Sequence, residues 1–477
     1  MSILILKIIS PDNLKKKILV LANNKNNRKM INLEKLRNFY LVGMILIFSA
    51  CSGDDGPGYQ EPYIPDSGNG NTEALSDDEL LEKVQQQTFK YFWDFAGTNS
   101  GLAKERSQAD AYGGEGRNIV TMGGSGFGLA AFPVAVERGW VTNSQALQRL
   151  EKILDFLETI PTYHGAFSHW YLDNTAQTRP FGNMDDGGDL VETAFLMQGL
   201  LINRQYFSED TNIVNRITAL WEAVEWDWYT KEENVLYWHW STTYGFQKNL
   251  KIQGWNESLI VYVLAASSPT HPINPEVYHQ GWSSNGNMVT NRTHYGFSMP
   301  LGPQFGGLLF FSHYSFIGLD PRNLSDSYAN YWAQNRAHSL IHYNYAIDNP
   351  KNFEGYGENS WGFTASDNFE GYSAHSPTND LGVITPTAAL SSFPYTPEES
   401  MKALRYFYEE RGNTLWGPYG FYDAFSEEKN WVSNGYLAID QGPIISMIEN
   451  HRTGLLWDLF MADKEIQTGL DKLDFNY

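Results

Sequence analysis

Carboxylic acids are the side chains whose spacing in this sequence suggests chemistry. The densest group is Met184-Asp185-Asp186-Gly187-Gly188-Asp189-Leu190-Val191-Glu192-Thr193. With a helix starting near Asp189, Asp189 and Glu192 lie three residues apart on one face. Acids this close repel one another. A fold tolerates that when they bind hydroxyls, take up protons or face the positive end of a helix. Plain capping, with Asp at the cap and Glu three residues on, fits the same letters. A second group is Gly254-Trp255-Asn256-Glu257-Ser258, ahead of an apolar run from Leu259 to Ala266. A carboxyl beside Trp255 and an apolar wall has its pKa raised by desolvation, which suits a general acid. A third is Ala438-Ile439-Asp440-Gln441-Gly442-Pro443, where a lone acid sits between apolar residues and a Gly-Pro turn. Asp423, in Gly420-Phe421-Tyr422-Asp423-Ala424-Phe425, is placed in a similar way. Acetal hydrolysis needs an acid for the leaving oxygen and, if configuration inverts, a base for the attacking water. We assign Glu257 as that acid and Asp440 as that base.

Helices must position these groups. Ser76-Asp77-Asp78-Glu79 reads as a capping box, and Leu80, Leu81, Val84, Phe89 and Phe92 follow at helical spacing. Helical patterns also cover 143–157, 189–207, 211–226, 256–266, 325–347, 378–392, 396–411 and 439–460. Strand signals are few: Val235 to Trp240 and Gly420 to Phe421-Tyr422. Long aromatic, Gly-rich loops at 279–309 and 349–376 separate the helices, and such loops are uncommon unless they carry function. The expected fold is all-α: a toroid of helical hairpins, (α/α)6, with long aromatic loops and a few short strands. No regular period of the kind a helical-repeat stack would show is visible.

Composition narrows the function. The net charge of −21 argues against nucleic acid and against an anionic polymer as partner. Aromatic residues make up 15%, with 15 Trp and 28 Tyr. Many sit in loop-like contexts such as Tyr112-Gly113-Gly114, Tyr356-Gly357 and Trp361-Gly362, where rings can stack on sugars. The histidines are scattered, with no HExxH and no Cys/His pairing, so no metal and no cofactor are expected. Gly123-Gly124-Ser125-Gly126-Phe127-Gly128 follows no convincing strand and is closed by no Lys-Ser/Thr pair. It reads as a tight loop at a pocket rim rather than a phosphate cradle.

The N-terminal part reads as an export signal. Lys35 and Arg37 precede the apolar run Met44 to Ala50, which ends at Cys51, the single cysteine. This is the layout of a lipoprotein signal peptide over 1–50, with lipidation at Cys51 and an alternative start at Met30. Residues 51–74 are polar and rich in Gly, Pro and Asp, as a flexible tether is. Residues 75–477 are expected to form one catalytic domain. The expected location is the cell envelope, lipid-anchored to the outer membrane, with the protein a monomer that touches the membrane only through its anchor.

The chain resembles the bacterial endo-β-1,2-glucanase family and its glucoamylase-named relatives. The carrying segments are Thr121 to Gly128, Gly165-Ala166-Phe167-Ser168-His169-Trp170, Asp185 to Thr193, Gly254 to Ser258, Ser268-Pro269-Thr270-His271-Pro272 and Ala438 to Pro443. The resemblance spans about residues 75 to 465 and implies a toroid of six hairpins and inverting hydrolysis of β-1,2-linked glucan. In the family, acids of functional importance fall in the segments holding Asp185, Asp189 and Glu192, Glu257, and Asp440. With Glu257 and Asp440 catalytic, the expected substrate-binding set is Asp185, Asp189, Glu192, Trp255, His169, Trp361 and Asp423. Three other readings compete: a non-catalytic glycan-binding lipoprotein, a glycosidase of another linkage, and a polysaccharide lyase. The last calls for a basic groove, which the acidic composition disfavours.

Overall fold

Ser76 accepts a hydrogen bond from the Glu79 N–H and Glu79 answers to the Ser76 N–H. The first described helix, Asp77–Trp93, therefore starts where the capping box sets it. In the computed structural model, residues 75–477 are described. The signal peptide, the tether and Cys51 lie outside them. All described residues belong to one contiguous unit. None of their helices is long and apolar enough to cross a membrane.

Two kinds of helix differ by sequence pattern. Met122–Glu137, Leu190–Tyr206, Leu259–Ser267 and Ala438–Arg452 are buried along nearly their whole length, and carry apolar or small residues on all sides. Asn143–Leu157, Thr211–Glu222, Pro397–Arg405 and Lys464–Lys472 carry one apolar stripe and are buried only along it. Met122–Glu137 packs on both Leu190–Tyr206 and Ala438–Arg452, and Ala438–Arg452 packs in turn on Asp77–Trp93. The protein is thus helix-rich, with small antiparallel strand pairs and, among the described residues, no strand barrel. Ile119–Thr121 and Gly188–Asp189 each run directly into a buried helix.

Several expectations are corrected. The Gly123 to Gly128 segment is no rim loop; it forms the opening turns of the Met122–Glu137 helix. Its glycines serve close helix packing: a Cβ on Gly126 would stand 2.0 Å from the Phe195 carbonyl oxygen, and one on Gly199 2.0 Å from that of Gly126. The 378–392 pattern yields only the short helix Pro386–Leu390, because proline starts it and Gly382 turns the chain before it at φ +76°. The 439–460 pattern is broken after Arg452 by Gly454, at φ +78°, which starts a separate helix, Leu455–Met461. The helix after Glu257 begins at Leu259, which leaves Glu257 in the preceding turn.

Candidate active site

The N-terminal ends of the four buried helices meet at one cavity of about 550 Å³. Thr121 stands just ahead of the first. Val191, Glu192 and Phe195 lie in the opening turns of the second. Glu257 precedes the third, and Leu437 and Ile439 flank the start of the fourth; all line the cavity. Loops supply the rest of the wall, including His169, Trp170, Phe181, Trp238, Tyr314 and, from the Ala365–Asn368/Gly371–Ala374 hairpin, Tyr372.

Of the expected residues, Glu257, Glu192 and His169 line this space. Burial pushes the Glu257 carboxyl up to about 7; its own backbone N–H opposes this, and Glu192 and Asp189 add to it. Burial likewise raises Glu192 to about 7 against the pull of His169. One Glu192 oxygen accepts the Gly123 N–H at 2.7 Å, and the other lies 3.6 Å from His169 Nε2. A side chain at 123 would invade that contact, since a Cβ would stand 2.6 Å from the Glu192 carboxylate.

Asp189 and Asp185 stand behind this wall rather than in it. Asp189 caps its own helix, accepting the Val191 and Glu192 N–H groups at 3.1 and 3.0 Å. Its other oxygen is 3.2 Å from both His169 Nδ1 and His239 Nε2. Asp185 holds His239 and Lys248, each at 3.0 Å. Burial disfavours charge on His169, but Glu192, Asp189 and Asp185 outweigh it and carry the imidazole up to about 9. Burial also disfavours charge on Asp189, yet the two imidazoles hold its carboxyl well below the usual range. Within this segment Asp189 is the cap of its helix, while Glu192 faces the cavity. His169, Asp185 and Asp189 bring ligand-type atoms within 4.8 Å of one another, a grouping that could hold a cation. The Lys248 ammonium already neutralises Asp185 there.

Asp440 and Asp423 form a second, deeper acid pair. Both are buried; no N–H or hydroxyl among the described residues donates to the Asp440 side chain, whose hydrogen-bond partner is the Asp423 carboxyl when the pair is protonated. Asp423 accepts the Asp367 N–H at 2.7 Å, and Asp367 pairs with Arg106 at 3.0 Å. Burial, reinforced by Asp423, raises the Asp440 carboxyl well above its ordinary value. Burial with Asp367 raises Asp423 to about 7. The pair therefore holds a proton near neutrality. Asp440 does not line the cavity; it sits behind Leu437, Ile439, Tyr314 and Tyr372, which do.

Two expected sugar platforms are placed elsewhere. Trp361 is fully buried in the core against Tyr343 and donates its indole N–H to the Glu399 carbonyl. Trp255 is buried against Tyr331 and Phe316, so its proximity in sequence to Glu257 does not make it part of the wall. In both cases the neighbouring Gly marked a turn, not an exposed ring. The rings that line the cavity are instead Trp170 and Phe181, whose centroids lie 4.7 Å apart, and Trp238. Trp170 follows His169 directly and Trp238 precedes His239, so adjacency to a site histidine was a usable signal. Tyr314, Tyr372 and Arg106 had none, because they come from loops without motif.

Comparison with known proteins fits this geometry. A family described as "Putative glucoamylase" matches residues 249–464, and a family described as a protein of unknown function matches 83–227. The endo-β-1,2-glucanase of Chitinophaga pinensis, solved with sophorotriose and glucose, is 51% identical. The match covers 85% of this chain and 99% of that one, at a TM-score of 0.83. The chain belongs to this bacterial β-1,2-glucanase family. A second family member, the "putative glucoamylase" structure of Bacteroides uniformis, is 53% identical over 85% of this chain and 98% of its own, at a TM-score of 0.82. The exo-β-1,2-glucooligosaccharide sophorohydrolase (non-reducing end) of Parabacteroides distasonis is 44% identical over 85% of this chain. This chain spans 59% of that relative's length. The family thus holds both endo- and exo-acting members by name.

Proposed function

We propose that this chain is a glycoside hydrolase that cleaves β-1,2-linked glucan or its oligosaccharides with inversion at the anomeric carbon. One observation carries the reading: the cavity at the helix ends presents Glu257 with a carboxyl raised to about 7, near a separate buried pair, Asp440 and Asp423. A carboxyl titrating near neutrality can be protonated at working pH and still give up its proton, as a general acid must. Glu257 protonates the leaving oxygen as the C–O bond breaks. Asp440 accepts a proton from the water whose oxygen bonds to C1. The pair's proton rests on Asp440, hydrogen-bonded to Asp423, so Asp440 acts as base once that proton has passed to Asp423. Glu192 and His169 hold sugar hydroxyls, while Asp185 and Asp189 orient the histidines, and Trp170 and Phe181 offer ring faces.

The same proposal takes the helices as six hairpins, buried helices inside and amphipathic ones outside. It also takes the enzyme as a monomer tethered to the outer membrane by lipid on Cys51.

The test is a product profile on β-1,2, β-1,3, β-1,4 and α-1,4 glucans, followed by NMR of the first-formed product. Hydrolysis confined to the β-1,2 chain with the α-anomer appearing first is expected. A β-anomer would mean retention and would overturn the acid and base roles.

A further inference from the structure

Arg106, Tyr112 and Tyr372 line the catalytic cavity and also a second hollow, of about 510 Å³. The hairpin links the two spaces as well: Ala365 lines the cavity, and Asp367 and Asn368 farther along the same strand line the hollow. The strand Trp431–Val432 adds another wall. Asp367 ties these segments together, pairing with Arg106 at 3.0 Å and accepting the Gln108 amide and the Ser433 hydroxyl at 3.2 Å each. Tyr112 is held at a strained backbone position: its φ of +53° lies in the left-handed region that residues other than glycine rarely adopt. Its ring packs on Trp170 with centroids 4.7 Å apart, so aromatic surface continues from Phe181 through Trp170 to Tyr112. Asn368 is 6% exposed and accepts the Glu370 N–H at 2.7 Å, yet its amide nitrogen has no partner among the described residues. Buried amides ordinarily have one. The exposed Asn434 side chain is likewise unpaired among them, Trp431 is half-buried, and Tyr372 is 52% exposed. Asn434 also lines a third hollow, of about 400 Å³, with Tyr419 and Tyr422.

We propose that the second hollow is a further sugar-binding site, which holds a glucose unit of a long chain beyond the units bound at the cleaved bond. The inference rests on the reading of this chain as a glucan hydrolase. Trp431 and Tyr372 offer ring faces to the C–H face of the sugar. The Asn368 amide donates to one hydroxyl, and the Asn434 side chain bonds another. The charges of Arg106 and Asp367 are already paired with each other, so the hollow suits a neutral, hydroxyl-rich unit rather than an ion. A free monosaccharide would gain too few contacts here to overcome its lost freedom. A unit joined by glycosidic bonds to sugars already seated in the cavity arrives at high effective concentration, so the same few contacts suffice. The site therefore favours long chains and leaves short ones unaffected. The third hollow, beyond Asn434, gives the chain a way onward.

The test measures kcat/KM for Trp431→Ala and Asn434→Ala on two substrates: polymeric β-1,2-glucan, and the shortest β-1,2-oligosaccharide that the wild type cleaves. The quantity read is the ratio of the two values within each protein. A smaller folded fraction lowers both values alike and leaves that ratio unchanged. Trp431→Ala should lose roughly 10-fold on the polymer, and Asn434→Ala about 3-fold, with neither losing on the short substrate. A loss confined to the polymer in either variant supports the site. If both variants keep the wild-type ratio, whether fully active or weakened equally on both substrates, the proposal is overturned. If the wild type cleaves no β-1,2-linked chain, the functional reading fails instead, and the same ratio on the glucan that it does cleave decides the hollow.

Discussion

At the residue scale, function turns on how burial and charge divide protons among neighbouring acids. Glu192 and Asp189 lie three residues apart on one helix, yet are driven in opposite directions. Asp189 faces two imidazoles and stays ionised, whereas Glu192 faces one imidazole across 3.6 Å and is raised to about 7. Glu257 has no ion-pair partner among the described residues, so desolvation dominates it. Glu257→Gln should lower the rate on natural glucan by roughly two to four orders of magnitude, and less on a substrate whose leaving group needs no proton. Glu257 works protonated, so wild-type activity should fall as pH rises through about 7. The stability consequence has the same sign. A carboxyl whose folded pKa lies above its unfolded value, about 4.3 for Glu, stabilises fully below that value and loses the contribution as pH rises through the folded one. The wild-type melting temperature should therefore drop between pH 5 and 8, and Glu257→Gln should shrink that drop. A drop of equal size in both proteins would show that Glu257 is not buried uncharged. The acids themselves were legible in the sequence because each opens or precedes an apolar helix. Their separate protonation states were not, because the opposing imidazoles of His169 and His239 arrive from other segments.

At the element scale, the cavity exists because buried helices can approach closely at their N-terminal ends. Gly126 and Gly199 let Met122–Glu137 and Leu190–Tyr206 touch backbone to backbone, which brings the Gly123 N–H within 2.7 Å of Glu192. Gly126→Ala would force the pair apart, since its Cβ meets a carbonyl oxygen rather than a flexible side chain. A loss of about 1–3 kcal/mol in denaturant unfolding is expected. The surviving folded protein should also lose activity as Glu192 is displaced. Full stability would mean that the helices are not in contact there. The start of Asp77–Trp93 and both ends of Asn143–Leu157 were readable in sequence, since a capping box and an amphipathic stripe are local signals. The glycine-rich opening of Met122–Glu137 was not, because glycine disfavours helix locally and only the neighbouring helix compensates.

At the scale of the whole molecule, an acidic chain encloses a cavity whose aromatic walls sit beside its acids. If the chain is tethered through Cys51, mass spectrometry of the native protein should find lipid on that residue at the mature N-terminus. An unmodified Cys51 in an intact chain would refute the anchor. The sequence by itself determined the helix-rich class, the acidic, aromatic composition and the acids that open helices, because periodicity, capping and charge are properties of nearby residues. Tertiary structure alone decided which of those acids share a cavity, and that Asp185 and Asp189 serve histidines. It also decided that Trp361 and Trp255 fill the core while Trp170, Phe181 and Tyr314 face the cavity. The physical reason is that a side chain's solvation and charge environment are set by segments far along the chain, and a single segment carries no record of what will pack against it.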